Sequence, residues 1–252
     1  MAVRFLFVLI IAGLFVFCNT TLFAQEKKIP VMTAKYAKKA VKIDGKLDDA
    51  VWKKATVYKL NLSVDKIKSG KKVQEAGEVM LAWDEKYFYV GLKLIDTDIA
   101  AEGKKDQLLH FRMGDVCELF LKPNDNKWYW ELYVTPAGKK SELLYMEKGK
   151  TTLEQALEYK SGLKVAADVK GSLNNKKDRD QYWTAEMAMP VKDLTAKGDK
   201  FGPGIDWRIL VARYNFSVSL KDSPKPELSA APQLSKTNHH LLEEYAKLEL
   251  VK

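Results

Sequence analysis

The stretch that most constrains the fold is Met113 to Lys139, MGDVCELFLKPNDNKWYWELYVTPAGK. Val116 to Lys122 is an apolar, β-favouring run broken only by Glu118. Pro123-Asn124-Asp125-Asn126 supplies turn chemistry. Trp128, Trp130, Leu132 and Val134 then alternate with Tyr129, Glu131, Tyr133 and Thr135. Period two with an apolar face and a polar, aromatic face predicts a half-buried antiparallel hairpin. Its open face, carrying Tyr129, Glu131 and Tyr133, is the first candidate for a binding surface.

The same grammar recurs along the chain. Glu78 to Trp83 and Lys86 to Ile95 predict a hairpin turned at Asp84-Glu85, with Phe88, Val90, Leu92 and Leu94 inward. Further strands are predicted at 142–147, 163–169, 181–189, 206–216 and 247–251. A helical turn falls within 150–160 and a Pro-started short helix at 190–194. Residues 217–240 lack periodicity. Val41 and Ile43 predict a short strand, Asp44-Gly45 a turn, and Asp48 and Asp49 the first turn of a short helix capping one end of the sheet. The three acids near a glycine leave calcium open as an alternative to capping. About ten strands with short decorating helices predict an all-β antiparallel β-sandwich of jelly-roll or immunoglobulin-like kind. Residues 41–252 form one domain after a polar lead-in at 25–40.

Residues 1–24 read as a signal peptide, with Arg4 before the apolar Phe5–Phe17 and Ala24 before the cut. Cys18 opens a lipoprotein alternative, although Phe17 stands where a small residue is required. No second apolar run follows, so the expected product is exported, periplasmic or extracellular, without a transmembrane segment. One cysteine, Cys117, remains after cleavage; it allows no internal disulfide and reads as a small strand hydrophobe. The net charge is +9, from lysine pairs scattered over predicted turns. That is solvated surface with attraction for anionic polysaccharide or envelope rather than a nucleic-acid stripe.

Catalytic signals are thin. There is no phosphate loop and no nucleophile elbow. The three histidines are His110, His239 and His240, and neighbours on an extended strand point to opposite faces, which argues against zinc at His239-His240. Glu118, Glu131 and Glu186 allow a glycosidase pair only if two face each other across a cleft. The simpler expectation puts Glu131 and Glu186 on solvated faces. Sugar binding needs flat rings and a few polar groups, which Tyr129, Glu131, Tyr133, Glu118, Arg213, Asn215, Phe111 and Arg112 supply.

Five motifs then fall in order. They are Ile43-Asp44-Gly45 to Trp52, Leu81-Ala82-Trp83-Asp84 to Val90, Asp115-Val116-Cys117-Glu118 to Leu121, Tyr133-Val134-Thr135-Pro136 to Gly138, and Trp183-Thr184-Ala185-Glu186 to Pro190. The chain resembles the family 9 carbohydrate-binding modules over these motifs, with a looser match from Asn238 to Leu248. The resemblance implies a β-sandwich, extracytoplasmic polysaccharide recognition, often bound calcium, and a glycoside hydrolase as companion. Sugar-binding members of that family clamp the sugar between two tryptophans. The first falls here on Arg112, beside Phe111, and 217–246 contains no tryptophan. The glutamate of the motif, a sugar contact in those members, is Glu118.

The leading expectation is an exported, non-catalytic carbohydrate-binding protein serving carbohydrate catabolism. Its site lies at loops 104–114 and 217–242, with Phe111, Arg112, Asp115, Glu118, Tyr133, Arg213 and His240 as ligand residues and no nucleic-acid partner. Two other classes stay open: a glycoside hydrolase or its accessory subunit, and a haem-binding electron carrier with Met113 and His240 as axial ligands.

Overall fold

The computed structural model describes residues 29–222 and 224–252. The leader and Cys18 lie outside the described residues. Among the described residues there are twelve strands: β1 (Val31–Tyr36), β2 (Val57–Lys59), β3 (Gly77–Trp83), β4 (Tyr87–Ile95), β5 (Val116–Pro123), β6 (Tyr129–Val134), β7 (Lys140–Tyr145), β8 (Lys164–Lys170), β9 (Tyr182–Pro190), β10 (Trp207–Asn215), β11 (Glu227–Ala231) and β12 (Ala246–Val251). The helices are short: α1 (Val64–Lys68), α2 (Leu153–Leu157) and α3 (Val191–Leu194).

The fold is all-β. The strands run in the order β7-β6-β5-β10-β12-β1-β3-β4-β9-β8, with β11 added to β10 and β2 to β3. The sheet nearly closes on itself, since β6 touches β8 and β9 across the interior. It is not wholly antiparallel, as had been expected: β1 runs parallel to both β12 and β3. β1 also lies inside the stretch read as a polar lead-in. Its alternation is short, but Met32 and Ala34 both reach the core. No strand forms at Val41–Ile43.

The interior is built from the inward positions that period two predicts. Phe88, Val90, Leu92 and Leu94 of β4 meet Trp183, Ala185, Met187 and Met189 of β9, and Trp130, Leu132 and Val134 of β6 complete it. Cys117 is free and buried among them.

Both outer faces are covered, and each cover corrects an expectation. Residues 37–55 form a series of turns, not a helix capping a sheet end. They lay Val41, Val51 and Trp52 across Met80, Ala82, Tyr89 and Ala188. Glu186 pins this cover from beneath. Its carboxylate accepts hydrogen bonds from Asp44 N at 3.0 Å, Gly45 N at 3.0 Å and Trp52 Nε1 at 2.8 Å. Glu186 is therefore buried, not solvated, and burial pushes it up to about 7. Gly45 has φ +83°, and a Cβ there would stand 2.5 Å from the Ala167 carbonyl carbon, so only glycine fits the turn. Asp44 and Asp49 serve the same turns by accepting from Lys46 N and Lys42 N.

The second cover lies over the hairpin. Every residue of β6 is buried. The face expected to stand open, with Tyr129 and Tyr133, packs with Val116, Phe120 and Tyr145 under Leu234 and Tyr245. The non-periodic stretch after β10 folds back over this face and pairs β11 with the Val211–Asn215 part of β10, beyond the residues that β12 pairs. That explains why Val116–Lys122 reads as a nearly continuous apolar run: the strand is buried on both sides. One polar opening remains in this cover.

Candidate functional site

The opening is a cavity of about 360 Å³ over β5 and β6. Glu118 and Glu131 form its floor. Both point outward from the sheet, on adjacent strands and diagonal to one another, because Glu118 pairs with Tyr133 and Phe120 pairs with Glu131. Glu118 Oε2 lies 3.2 Å from His239 Nδ1. Glu131 Oε1 accepts a hydrogen bond from the Tyr133 hydroxyl. Glu131 Oε2 is buried without a hydrogen bond, with His240 Nε2 at 3.9 Å. A buried carboxylate oxygen left without a hydrogen-bond partner is costly unless a ligand satisfies it.

Two groups of rings flank the floor. Phe111 packs on Tyr133 and Tyr214 at centroid separations of 6.4 and 5.9 Å, and Tyr214 meets His239 edge-on at 5.4 Å. Beyond Glu131 along β6, Tyr129 stacks on Tyr145 at 4.8 Å, and both contact His240. The Tyr129 hydroxyl and His240 Nδ1 are 3.0 Å apart. Glu131 thus sits between the Tyr133 end and the Tyr129 end of one strand face. Leu153 of α2, Leu228, Thr237 and Asn238 complete the rim.

The electrostatics follow from burial. Desolvation pushes Glu118 up to about 8, and desolvation with the Glu118 charge pushes Glu131 up to about 8. Desolvation holds His239 and His240 down to about 4. Near pH 7 the floor is therefore uncharged: two carboxylic acids and two neutral imidazoles, each offering a donor and an acceptor. Donors and acceptors between flat rings suit a hydroxyl-rich ring compound.

The predicted site residues divide. Phe111, Glu118 and His240 line this cavity. Tyr133 is fully buried beneath it and acts through Glu131. Arg112 stays outside, exposed, with its guanidinium over the Phe111 ring at 5.2 Å. Asp115 and Arg213 belong to another place. Asp115 accepts from Ala100 N at 2.6 Å and Phe216 N at 2.7 Å. Arg213 Nη2 lies 3.0 Å from Asp96 Oδ2, with side chains 1% and 0% exposed. Asn215 donates to Glu75 in the same network. This cluster buttresses the loop after β4, and it does not reach the cavity. Met113 lies beside His110 against Gly103, while His240 packs among Phe120, Tyr129 and Tyr145.

Of the cavity residues, sequence reasoning passed over Tyr145, Tyr214 and His239, and its final ligand set left out Glu131, which the open face of the hairpin had first offered. Strand parity was the available signal for three of them. Glu131 shares its face with Tyr129 and Tyr133, Tyr145 pairs with Tyr129, and Tyr214 shares a face with Ala212, which pairs with Glu118. His239 carried no such signal. It and His240 lie in a turn, so both reach one cavity, contrary to the extended-strand expectation. Among the described residues no group of three or more His, Cys, Asp or Glu side chains is arranged to hold a metal ion.

Residues 43–210 match the family described as carbohydrate family 9 binding domain-like. The chain belongs to that family. No curated protein matches it. Among solved structures it is similar to a Bacteroides uniformis ATCC 8492 protein whose carbohydrate-binding role is provisional, with TM-score 0.64 and 12% identity over 89% of this chain and 100% of that one. It is also similar to a family 9 carbohydrate-binding module from Caldicellulosiruptor kristjanssonii, solved with cellotriose and with glucose. The cellotriose complex gives TM-score 0.53 and 13% identity over 87% of this chain and 93% of that one. The glucose complex gives 0.54 and 12% over 88% and 95%. At these identities the likeness establishes a shared fold.

Proposed function

We propose that this chain is an exported, non-catalytic carbohydrate-binding protein that recognises polysaccharide or oligosaccharide beside a glycoside hydrolase in carbohydrate catabolism. The observation that carries the reading is the cavity itself. It sets two buried glutamates between two groups of rings, in a family of carbohydrate binders whose similar modules hold cellotriose and glucose. Phe111 and Tyr214 on one side, with Tyr145 and His240 on the other, supply the rings that tryptophans supply elsewhere in the family. The two glutamates share one floor rather than opposing each other across a cleft, which favours holding a sugar over cleaving it.

Affinity electrophoresis in soluble β-glucan, xylan and mannan tests the reading. The wild type is expected to be retarded by at least one of them. Glu131→Ala and Phe111→Ala are each expected to weaken that binding by roughly 10- to 100-fold, the worth of one buried polar contact or one lost stacking ring. If no glycan retards the protein and neither variant changes anything, the reading is wrong.

Export rests on Arg4, the Phe5–Phe17 apolar run and Ala24. The protein recovered from the cell envelope or medium is expected to begin at Gln25. An intact Met1 terminus on a cytoplasmic protein would contradict export.

A further inference from the structure

A second and larger cleft, of about 840 Å³, lies between the loop after α1 and the loop before β11. It adjoins the sugar cavity, because Leu228 and Thr237 line both. Its base is apolar, with Leu62, Val73, Leu220 and Pro226. Its rim is basic: Lys66, Lys71, Lys72, Lys221 and Lys225 stand against only two carboxylates, Asp222 and Glu227. Both acids are already engaged. Asp222 pairs with Lys71, and Glu227 accepts from Gln74 N at 3.0 Å. Among the described residues, none of Lys66, Lys72, Lys221 and Lys225 is held in an ion pair. The two loops are tied together as well, since Lys221 N donates to Gln74 Oε1 at 2.9 Å. The cleft is a braced trough, with lysine stems flanking an apolar base and unpaired ammonium groups at the edge.

From this continuity we infer that the protein is selective for anionic polysaccharide, one sugar resting in the cavity while the chain continues past Leu228 and Thr237 and sets its carboxylate or sulfate groups against the lysines. The inference rests on the proposed function, since it extends the ligand from the same cavity. An apolar base matches the C–H faces of a sugar ring, and the lysines match charges spaced along a chain. Nucleic acid, the other flexible polyanion, has no use for the uncharged glutamate floor next door.

The test compares neutral β-glucan, xylan and mannan with polygalacturonate and alginate, which carry carboxylates, and with carrageenan, which carries sulfate. A single-stranded oligonucleotide serves as competitor. At least one anionic glycan is expected to bind roughly tenfold or more tighter than any neutral one, and the gain is expected to shrink as salt rises from about 0.05 to about 0.5 M, a range over which surface charges become screened. The arm that binds tells carboxylate from sulfate. The triple variant Lys66→Gln/Lys72→Gln/Lys225→Gln is expected to lose roughly tenfold on the anionic glycan, as three exposed charge contacts together are worth, and to keep any neutral binding. Glu131→Ala is expected to weaken both. If neutral glycans bind and anionic ones bind no tighter, or the triple variant changes nothing, the lysine trough is not part of the site and the carbohydrate reading stands. If the oligonucleotide displaces anionic glycan with equal strength and Glu131→Ala has no effect, the trough is a general polyanion surface and the inference fails. If nothing binds in either arm, the carbohydrate reading itself fails and takes this one with it.

Discussion

Arg213→Met is expected to lower the unfolding free energy by about 3–5 kcal/mol, the usual cost of removing one partner of a buried ion pair. Arg213 is fully buried on β10, and its guanidinium contacts Asp96 Oδ2 and the Glu75 carbonyl. Burial raises both Asp96 and Asp115 above the usual carboxylate range, and Arg213 is the cation that counters this for each. Without it, two buried carboxyls lose their compensating charge at once. Urea unfolding should show the loss, and Arg213→Met/Asp96→Asn should recover part of it. A variant of normal stability that no longer binds glycan would instead make Arg213 a ligand residue. The prediction thus separates the two roles the sequence left together.

Why the sequence left them together is a matter of strand parity. In β10, Trp207, Ile209 and Val211 reach the core, so Arg213 and Asn215 follow them inward. Leu210 and Ala212 reach the outer cluster, so Tyr214 follows them toward the cavity. The same parity sends Asp115, just before β5, in with Cys117 and Glu118 out with Phe120. Composition made Arg213 attractive as a sugar ligand; alternation already placed it on the wrong face. The β hairpins, their inward residues and the turn at Asp84 were legible because period two and turn chemistry are local. The parallel pairing of β1 was not, because nothing in six residues states which distant strand they join. Nor was the cover over the hairpin. Residues 217–240 have no period, and what they bury becomes visible only when they are seen lying on Tyr129 and Phe120. The cavity is what that cover leaves open, so its outline could not be read from either segment alone.

The protonation of its floor gives the second large effect. Stability is expected to fall steeply from about pH 6.5 to 8 and to lose much of that slope in Glu118→Gln/Glu131→Gln. Each glutamate titrates at about 8 folded and near 4.5 unfolded, so between those values the unfolded chain holds fewer protons and stability falls as pH rises. His239 and His240 titrate at about 4 folded and near 6.5 unfolded, so their contribution is lost as pH falls through that window. Between about pH 4.5 and 6.5 the two pairs nearly cancel, which leaves the shallower fall contributed by the other raised carboxyls, Glu186 among them. Above 6.5 the histidine contribution is complete and the slope of the two floor glutamates is unopposed, worth at most about 4 kcal/mol for two groups over one and a half pH units. Glu186, raised to about 7 on the other face, adds to the slope only up to that pH and is untouched by the double variant. Thermal melts across pH 5–9 would decide the matter. An unchanged slope in the double variant would show that the two glutamates are ionised in the folded protein. They would then form a charged floor, which would hold a sugar by accepting hydrogen bonds from its hydroxyls and would repel the anionic chain inferred above.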